Sequence, residues 1–218
     1  MTFDDARRQM VLEQLQRRGI TDSRTLAAFL NVPRHAFVPP EFEGEAYADH
    51  PIPIGGGQTI SQPFMVALMT QVLRLQGHER VLELGTGSGY QMAILAELAL
   101  EVYSVERLPD LAEQARQRLE RLGYLNVHLT TGNGTLGWPE FAPYEAILVA
   151  AGAPHLPHPL IDQLADPGRL VIPLGTPQAQ TLTLVEKRAG SLIRTPMVSC
   201  VFVPLVGEHG WPPDPERG

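Results

Sequence analysis

The stretch Val81-Leu82-Glu83-Leu84-Gly85-Thr86-Gly87-Ser88-Gly89-Tyr90 decides the fold. Its first four residues predict a short buried strand, and a helix is expected over 91–98. Between them lies a turn with three alternate glycines. Glycines there let the backbone come close to a ligand, and the helix N-terminus offers free N–H groups. Downstream the same alternation continues. Strands are expected at 102–105, 127–131 and 146–150, with a helix over 110–122 between the first two. The uninterrupted apolar run at 146–150 is of the kind a parallel sheet buries on both faces. A helical fragment at 161–165 follows, then strands at 169–174, 181–186 and 201–205, with Gly190-Ser191 joining the last two. The pattern is a doubly wound, Rossmann-like α/β fold whose mostly parallel sheet ends in antiparallel strands.

Upstream of Gly77 the pattern is helical. One helix runs through Met10, Val11 and Leu15 and stops at Gly19. A second, capped by Thr21 or Asp22, runs through Leu26, Phe29 and Leu30 and ends before Pro33. A Pro- and Gly-rich loop occupies 47–63, and a helix with Met65, Leu68, Met69 and Val72 follows. The chain therefore divides into an N-terminal helical extension with its long loop, 1–76, and an α/β core, 77–218. The tail after Gly210, with Pro212, Pro213 and Pro215, is expected to be loose.

The glycine turn narrows the ligand. A dinucleotide fold wants G-x-G-x-x-G, whereas Tyr90 stands where the third glycine belongs. Glu83 beside the turn also suits a cationic ligand better than a pyrophosphate. S-adenosylmethionine carries a sulfonium and an ammonium and fits that expectation. Glu106 ends the second strand about 20 residues beyond the glycines, where an acid accepts hydrogen bonds from ribose hydroxyls. Gly85, Thr86, Gly87, Ser88, Gly89 and Glu106 are thus expected to bind the cofactor, and the fold is expected to be that of an S-adenosylmethionine-dependent methyltransferase.

Composition excludes other classes. Twenty-four acids against seventeen Lys and Arg give a net charge of −7, so a nucleic-acid partner is not expected. No segment is apolar and long enough to span a membrane. The first eighteen residues are too charged for a secretory leader. The single cysteine, Cys200, permits no internal disulfide and reads as a small core residue, so a cytoplasmic location is expected. His155 and His158 lie among prolines without a third ligand, so no metal is expected. Trp138 is open to two readings, packing under the cofactor or anchoring a loop.

Several further segments resemble the protein-L-isoaspartate O-methyltransferase family. They are Val32-Pro33-Arg34-His35-Ala36-Phe37-Val38-Pro39, Pro53-Ile54-Gly55-Gly56-Gly57-Gln58-Thr59-Ile60-Ser61-Gln62-Pro63, Gly137-Trp138-Pro139-Glu140, Leu170-Val171-Ile172-Pro173-Leu174-Gly175 and Phe202-Val203-Pro204-Leu205. The resemblance implies transfer of a methyl group to the misplaced carboxylate of L-isoaspartyl residues in damaged proteins and peptides. The ester then closes to a succinimide, whose hydrolysis returns some normal aspartate. It makes 53–63 the substrate loop, Ser61 the active-site residue, and Thr59 and Ile60 substrate contacts. It also places Asn133 and Gly134 near the adenine. The family usually has Asp at position 133; Asn keeps a carbonyl acceptor and loses the charge. Glu145 replaces a usual Asp, and Gly152 a usual alanine, a change expected to be harmless. A monomer is the expected state. A small-molecule methyltransferase of the same fold and a non-catalytic S-adenosylmethionine-binding module stay open as alternatives.

Overall fold

A computed structural model describes residues 2–213. Pro215 of the expected loose tail lies outside them. The first helix, α1 (Phe3–Gln9), is capped by Thr2 and continues through a π-helical stretch, Met10–Leu15, and a 310 turn to Gly19, which is left-handed. Helix α2 (Ser23–Asn31) starts at Asp22, whose carboxylate accepts the Thr25 N–H. The expected loop 47–63 contains a small antiparallel hairpin of β1 (Ile52–Gly55) and β2 (Gln58–Ile60). Pro63 opens helix α3 (Pro63–Leu73), as a proline can where its missing N–H is not needed.

The sheet follows as β3 (Arg80–Leu84), α4 (Tyr90–Ala96), β4 (Glu101–Glu106), α5 (Pro109–Arg121), β5 (Val127–Thr131), β6 (Tyr144–Val149), α6 (His158–Gln163), β7 (Leu164–Thr176), β8 (Ala179–Arg188) and β9 (Ser191–Cys200). The strand order is β5-β4-β3-β6-β7-β8-β9. The first five strands in this order are parallel, and β8 and β9 close the sheet antiparallel.

Period-2 alternation sorts the core into two layers. Val81, Val102, Ala146 and Leu148 join the apolar side chains of α2, α3 and α4. Leu82, Leu84, Tyr103, Val105, Ile147 and Val149 face the other way, toward Leu160 of α6. Trp138 packs there against Tyr103 and Phe141. Helices thus cover both faces, as a doubly wound sheet requires.

Three expectations need correction. The last strand is Ser191–Cys200, not 201–205. Residues 201–205 instead run over the C-terminal ends of the strands, bridging Gly152 at Pro204. The helical fragment is α6 at His158–Gln163, and Leu164 and Ala165 already belong to β7. Trp211 is tied in place rather than loose: its backbone N–H donates to the Leu205 carbonyl at 2.8 Å, and its indole to the Gly152 carbonyl at 3.1 Å.

Candidate active site

The order in which parallel strands are added reverses between β3 and β6: from β3 the connections run outward through β4 to β5, then return to β6 on the other side. In open α/β sheets such a switch point leaves a crevice at the carboxyl ends of the strands. A cavity lies there. Gly85, Thr86, Gly87 and Ser88 line it after β3, Glu106, Arg107 and Leu108 after β4, and Ala150 and Ala151 after β6. Thr59, Ile60 and Ser61 from the hairpin arm face it, together with Gly134 and the crossing segment from Phe202 to Val206.

The turn after β3 has the shape of a cradle. Gly87 is left-handed, with φ 54°, and a Cβ there would stand 3.3 Å from Ile54 Cδ1 of the hairpin. The Glu106 carboxylate accepts the Gly87 N–H and the Leu108 N–H, each at 2.9 Å. These bonds fix the carboxylate on the cavity wall with lone pairs to spare for a ligand hydroxyl. The hairpin tip folds onto the same rim. Gly56, at φ 57°, would set a Cβ 2.9 Å from Leu108 Cδ1. Glycine adopts this left-handed backbone without strain and, lacking a Cβ, leaves the Leu108 side chain in place. A close backbone turn facing an acid at the next strand end suits the ribose and methionine portions of S-adenosylmethionine.

Ser61 is half-buried. Among the described residues its hydroxyl makes no hydrogen bond, so the hydroxyl is not consumed by a local turn. Its carbonyl accepts from Arg34 Nη2 at 2.8 Å.

Glu83 departs from its expected role. It faces inward on the Val81 side of β3, is fully buried, and is not on the cavity wall. Its Oε2 accepts the Ser104 hydroxyl at 2.6 Å, directly across the strand pair, and Oε1 has no partner. Burial pushes its pKa up to about 8; the Ser104 bond opposes this and the nearby Glu106 adds to it. At neutral pH it is a neutral acid, not the source of an acidic field. Thr86 Oγ1 lies 2.6 Å from Ser104 Oγ, so the buried acid braces the glycine turn through two hydroxyls.

Two expected cofactor contacts are not on the cavity wall. Gly89, left-handed at the start of α4, packs against Ala115 of α5. Asn133 spends its side-chain oxygen on the N–H and hydroxyl of Thr135, at 3.0 and 2.7 Å, capping the 310 turn that begins at Gly134. Arg107 and Leu108 lie on the wall outside the expected set, and the residues expected as a strand at 201–205 belong to the crossing segment. The proline at 204 was the available signal against a central strand.

Comparison with known proteins places the chain in a family. The family model described as Protein-L-isoaspartate(D-aspartate) O-methyltransferase (PCMT) matches residues 6–210. The protein-L-isoaspartate O-methyltransferase 1 of Syntrophobacter fumaroxidans is 55% identical over 211 residues, 97% of this chain and 99% of that protein. The protein-L-isoaspartate O-methyltransferase of Geobacter metallireducens is 55% identical over 212 residues, 97% and 98%. A solved protein-L-isoaspartate O-methyltransferase superposes with a TM-score of 0.83 at 30% identity, covering 94% of this chain and 67% of that one. A Plasmodium falciparum structure assigned to the same activity, in complex with S-adenosyl-L-homocysteine, gives a TM-score of 0.78 at 29% identity, covering 88% and 95%. The match runs through the helical N-terminal part and the sheet alike, and the relatives are more than half identical over nearly their whole length; the chain belongs to the protein-L-isoaspartate(D-aspartate) O-methyltransferase family.

Proposed function

We infer that this chain transfers the methyl group of S-adenosylmethionine to the free carboxylate of L-isoaspartyl residues in damaged proteins and peptides, the first step of their repair. The observation that carries the reading is the placement of Ser61 and the Glu106-braced glycine turn on one cavity wall.

When bound, S-adenosylmethionine supplies an electrophilic methyl on a positively charged sulfur. We assign the turn from Gly85 to Ser88 and the Glu106 carboxylate to holding it, with Gly134 beside its base. The substrate carboxylate has a pKa of about 4 and is ionised at neutral pH, so no side chain has to remove a proton. What remains for the protein is alignment and exclusion of water, which can lower a barrier by several kcal/mol. Ser61, its hydroxyl uncommitted, would donate to the carboxylate and aim it. Thr59 and Ile60 would hold the peptide in the same arm. Gln58 of the hairpin and the segment from Phe202 to Val206 close the cavity on the sides away from the glycine turn.

A reducing cytoplasm and a monomeric state belong to the same reading. The lone thiol of Cys200 supports the first, and light scattering checks the second. The deciding experiment offers an isoaspartyl peptide and its normal aspartyl twin with labelled S-adenosylmethionine. Methylation of the isoaspartyl peptide alone is expected; equal labelling of both, or of neither, overturns the reading.

A further inference from the structure

Arg34 lies in the motif from Val32 to Pro39, which the methyl-transfer site leaves without a role. It is fully buried. Its Nε donates to the Ala46 carbonyl at 2.7 Å, and its Nη2 to the Ser61 carbonyl at 2.8 Å. Its guanidinium carbon sits 4.9 Å from the centre of the Tyr90 ring. Ser61 and Tyr90 both line the cavity, so the guanidinium touches two wall residues from behind. Among the described residues neither its Nη1 nor the buried Tyr90 hydroxyl has a hydrogen-bond partner. Both acceptors of Arg34 are neutral carbonyls, and no ion pair among the described residues includes it.

Burial lowers the Arg34 pKa to about 10, with Tyr90, Tyr47 and Asp49 opposing the drop. The group is therefore a cation at neutral pH. An uncompensated buried charge is costly, and a side chain that keeps one usually has an opposite charge to meet. Here no acidic side chain among the described residues pairs with it, while the wall that Arg34 supports faces the place where an anionic substrate would bind.

We propose that the counter-charge of Arg34 is the carboxylate of the substrate, which makes Arg34 the positioning residue that selects an ionised carboxylate over a neutral group. The proposal rests on the methyl-transfer reading. The guanidinium lies directly behind the Ser61 backbone and the Tyr90 ring, both on the cavity wall, and across one layer of buried protein a charge acts more strongly than through water. The Nη2 bond also fixes the Ser61 backbone, so the cation and the aiming hydroxyl are set together. Arg107, exposed on the same cavity, is the competing cation.

The test compares an isoaspartyl peptide with its isoasparaginyl twin, in which a carboxamide replaces the carboxylate. Binding of each is measured by calorimetry with S-adenosylhomocysteine present, for the wild type, Arg34→Gln, Arg34→Lys and Arg107→Gln. The wild type is expected to prefer the carboxylate at least about tenfold. Arg34→Gln should bring the ratio near one, and Arg34→Lys should retain most of it. A general structural defect would weaken both peptides alike and leave the ratio unchanged. A wild-type ratio in Arg34→Gln, a ratio near one in the wild type, or loss of the ratio in Arg107→Gln alone overturns the proposal. If circular dichroism finds Arg34→Gln unfolded, Arg34→Lys decides: a retained ratio supports the proposal and a ratio near one overturns it. Failure of the methyl-transfer reading shows separately, as a wild type that methylates no isoaspartyl peptide, and takes this proposal with it.

Discussion

The Gln180 side-chain amide occupies the space that a Cβ on Gly152 would take, 2.7 Å from its Cδ. Gln180 is buried and committed at both ends. Its Oε1 accepts the Phe202 N–H at 2.6 Å, and its Nε2 donates to the Thr176 carbonyl at 2.8 Å. A methyl group at position 152 would therefore have to displace an amide that holds the segment roofing the cavity. Gly152→Ala should destabilise the chain by about 1–3 kcal/mol through overpacking. Adding Gln180→Ala should recover part of the loss. Thermal melts of the single and double variants check both; an unaltered melting temperature in Gly152→Ala refutes the packing account.

Glu83 gives a pH prediction. In the folded chain it keeps its proton up to about pH 8, whereas its ordinary value is 4.5. Between those values the folded state binds more protons than the unfolded state, so Glu83 costs stability progressively as pH rises, and the cost is complete above about 8. Glu83→Gln cannot ionise, and its amide oxygen can still accept from Ser104. Relative to the wild type, the variant should gain stability steadily from about pH 5 to about pH 8.5. Urea midpoints at the two ends of that range measure it, and a constant difference between the proteins counts against a protonated Glu83.

Glu83 also marks the limit of what the sequence made legible. Strand, turn and helix at 81–96 follow from local spacing, and the parallel core followed from repeating it. Which face of β3 residue 83 occupies depends on strand alternation within the assembled sheet. That alternation puts it with Val81, inside. Likewise β9 was hidden because both of its faces are largely exposed, so Arg194 and Pro196 interrupt any apolar pattern. The residues at 201–205 look like a strand because they are apolar, yet that character serves to cover a cavity. Hairpin β1–β2 was obscured by Pro51, Pro53 and three glycines, which carry turn signals stronger than four residues of strand. The cavity residues Gly85–Ser88 and Glu106 were readable from local strand–turn–helix spacing, whereas Thr59, Ile60, Ser61 and Gly134 came only with the family resemblance.

Glu106 holds two backbone N–H groups and faces the cavity. Glu106→Ala removes the acceptor expected for the ribose and releases the Gly87 amide. A loss of about 2–4 kcal/mol in S-adenosylhomocysteine affinity is expected, a rise in Kd of roughly 30-fold or more. Calorimetry reads it directly. An unchanged Kd would remove Glu106 from the cofactor site.

Asn133 caps Thr135 with the same oxygen that the adenine would need. An aspartate accepts both Thr135 bonds equally well and adds a charge-assisted component. Asn133→Asp should therefore be tolerated and leave S-adenosylhomocysteine affinity equal or modestly tighter. A large loss of affinity, with the fold intact by circular dichroism, would mean that a carboxylate at 133 is too poorly solvated to ionise there.

Ser61 is the sharpest test of the chemistry. Its hydroxyl is uncommitted within the described residues, its carbonyl is fixed by Arg34, and it shares the cavity with the glycine turn. The substrate carboxylate is already an anion at neutral pH, so the hydroxyl can only aim it and balance its charge, not activate it. Its removal should lower turnover without displacing the low-pH limb of the rate profile, which belongs to protonation of the substrate itself. Ser61→Ala should reduce methylation of an isoaspartyl peptide by roughly 10- to 1,000-fold, the range for one well-placed hydrogen bond. Affinity for S-adenosylhomocysteine should change far less, because Ser61 sits on the hairpin arm rather than on the glycine turn. Near-normal turnover would end the catalytic assignment. An equal loss of cofactor binding would move Ser61 to the cofactor side of the cavity, and a shifted low-pH limb would show that it handles a proton.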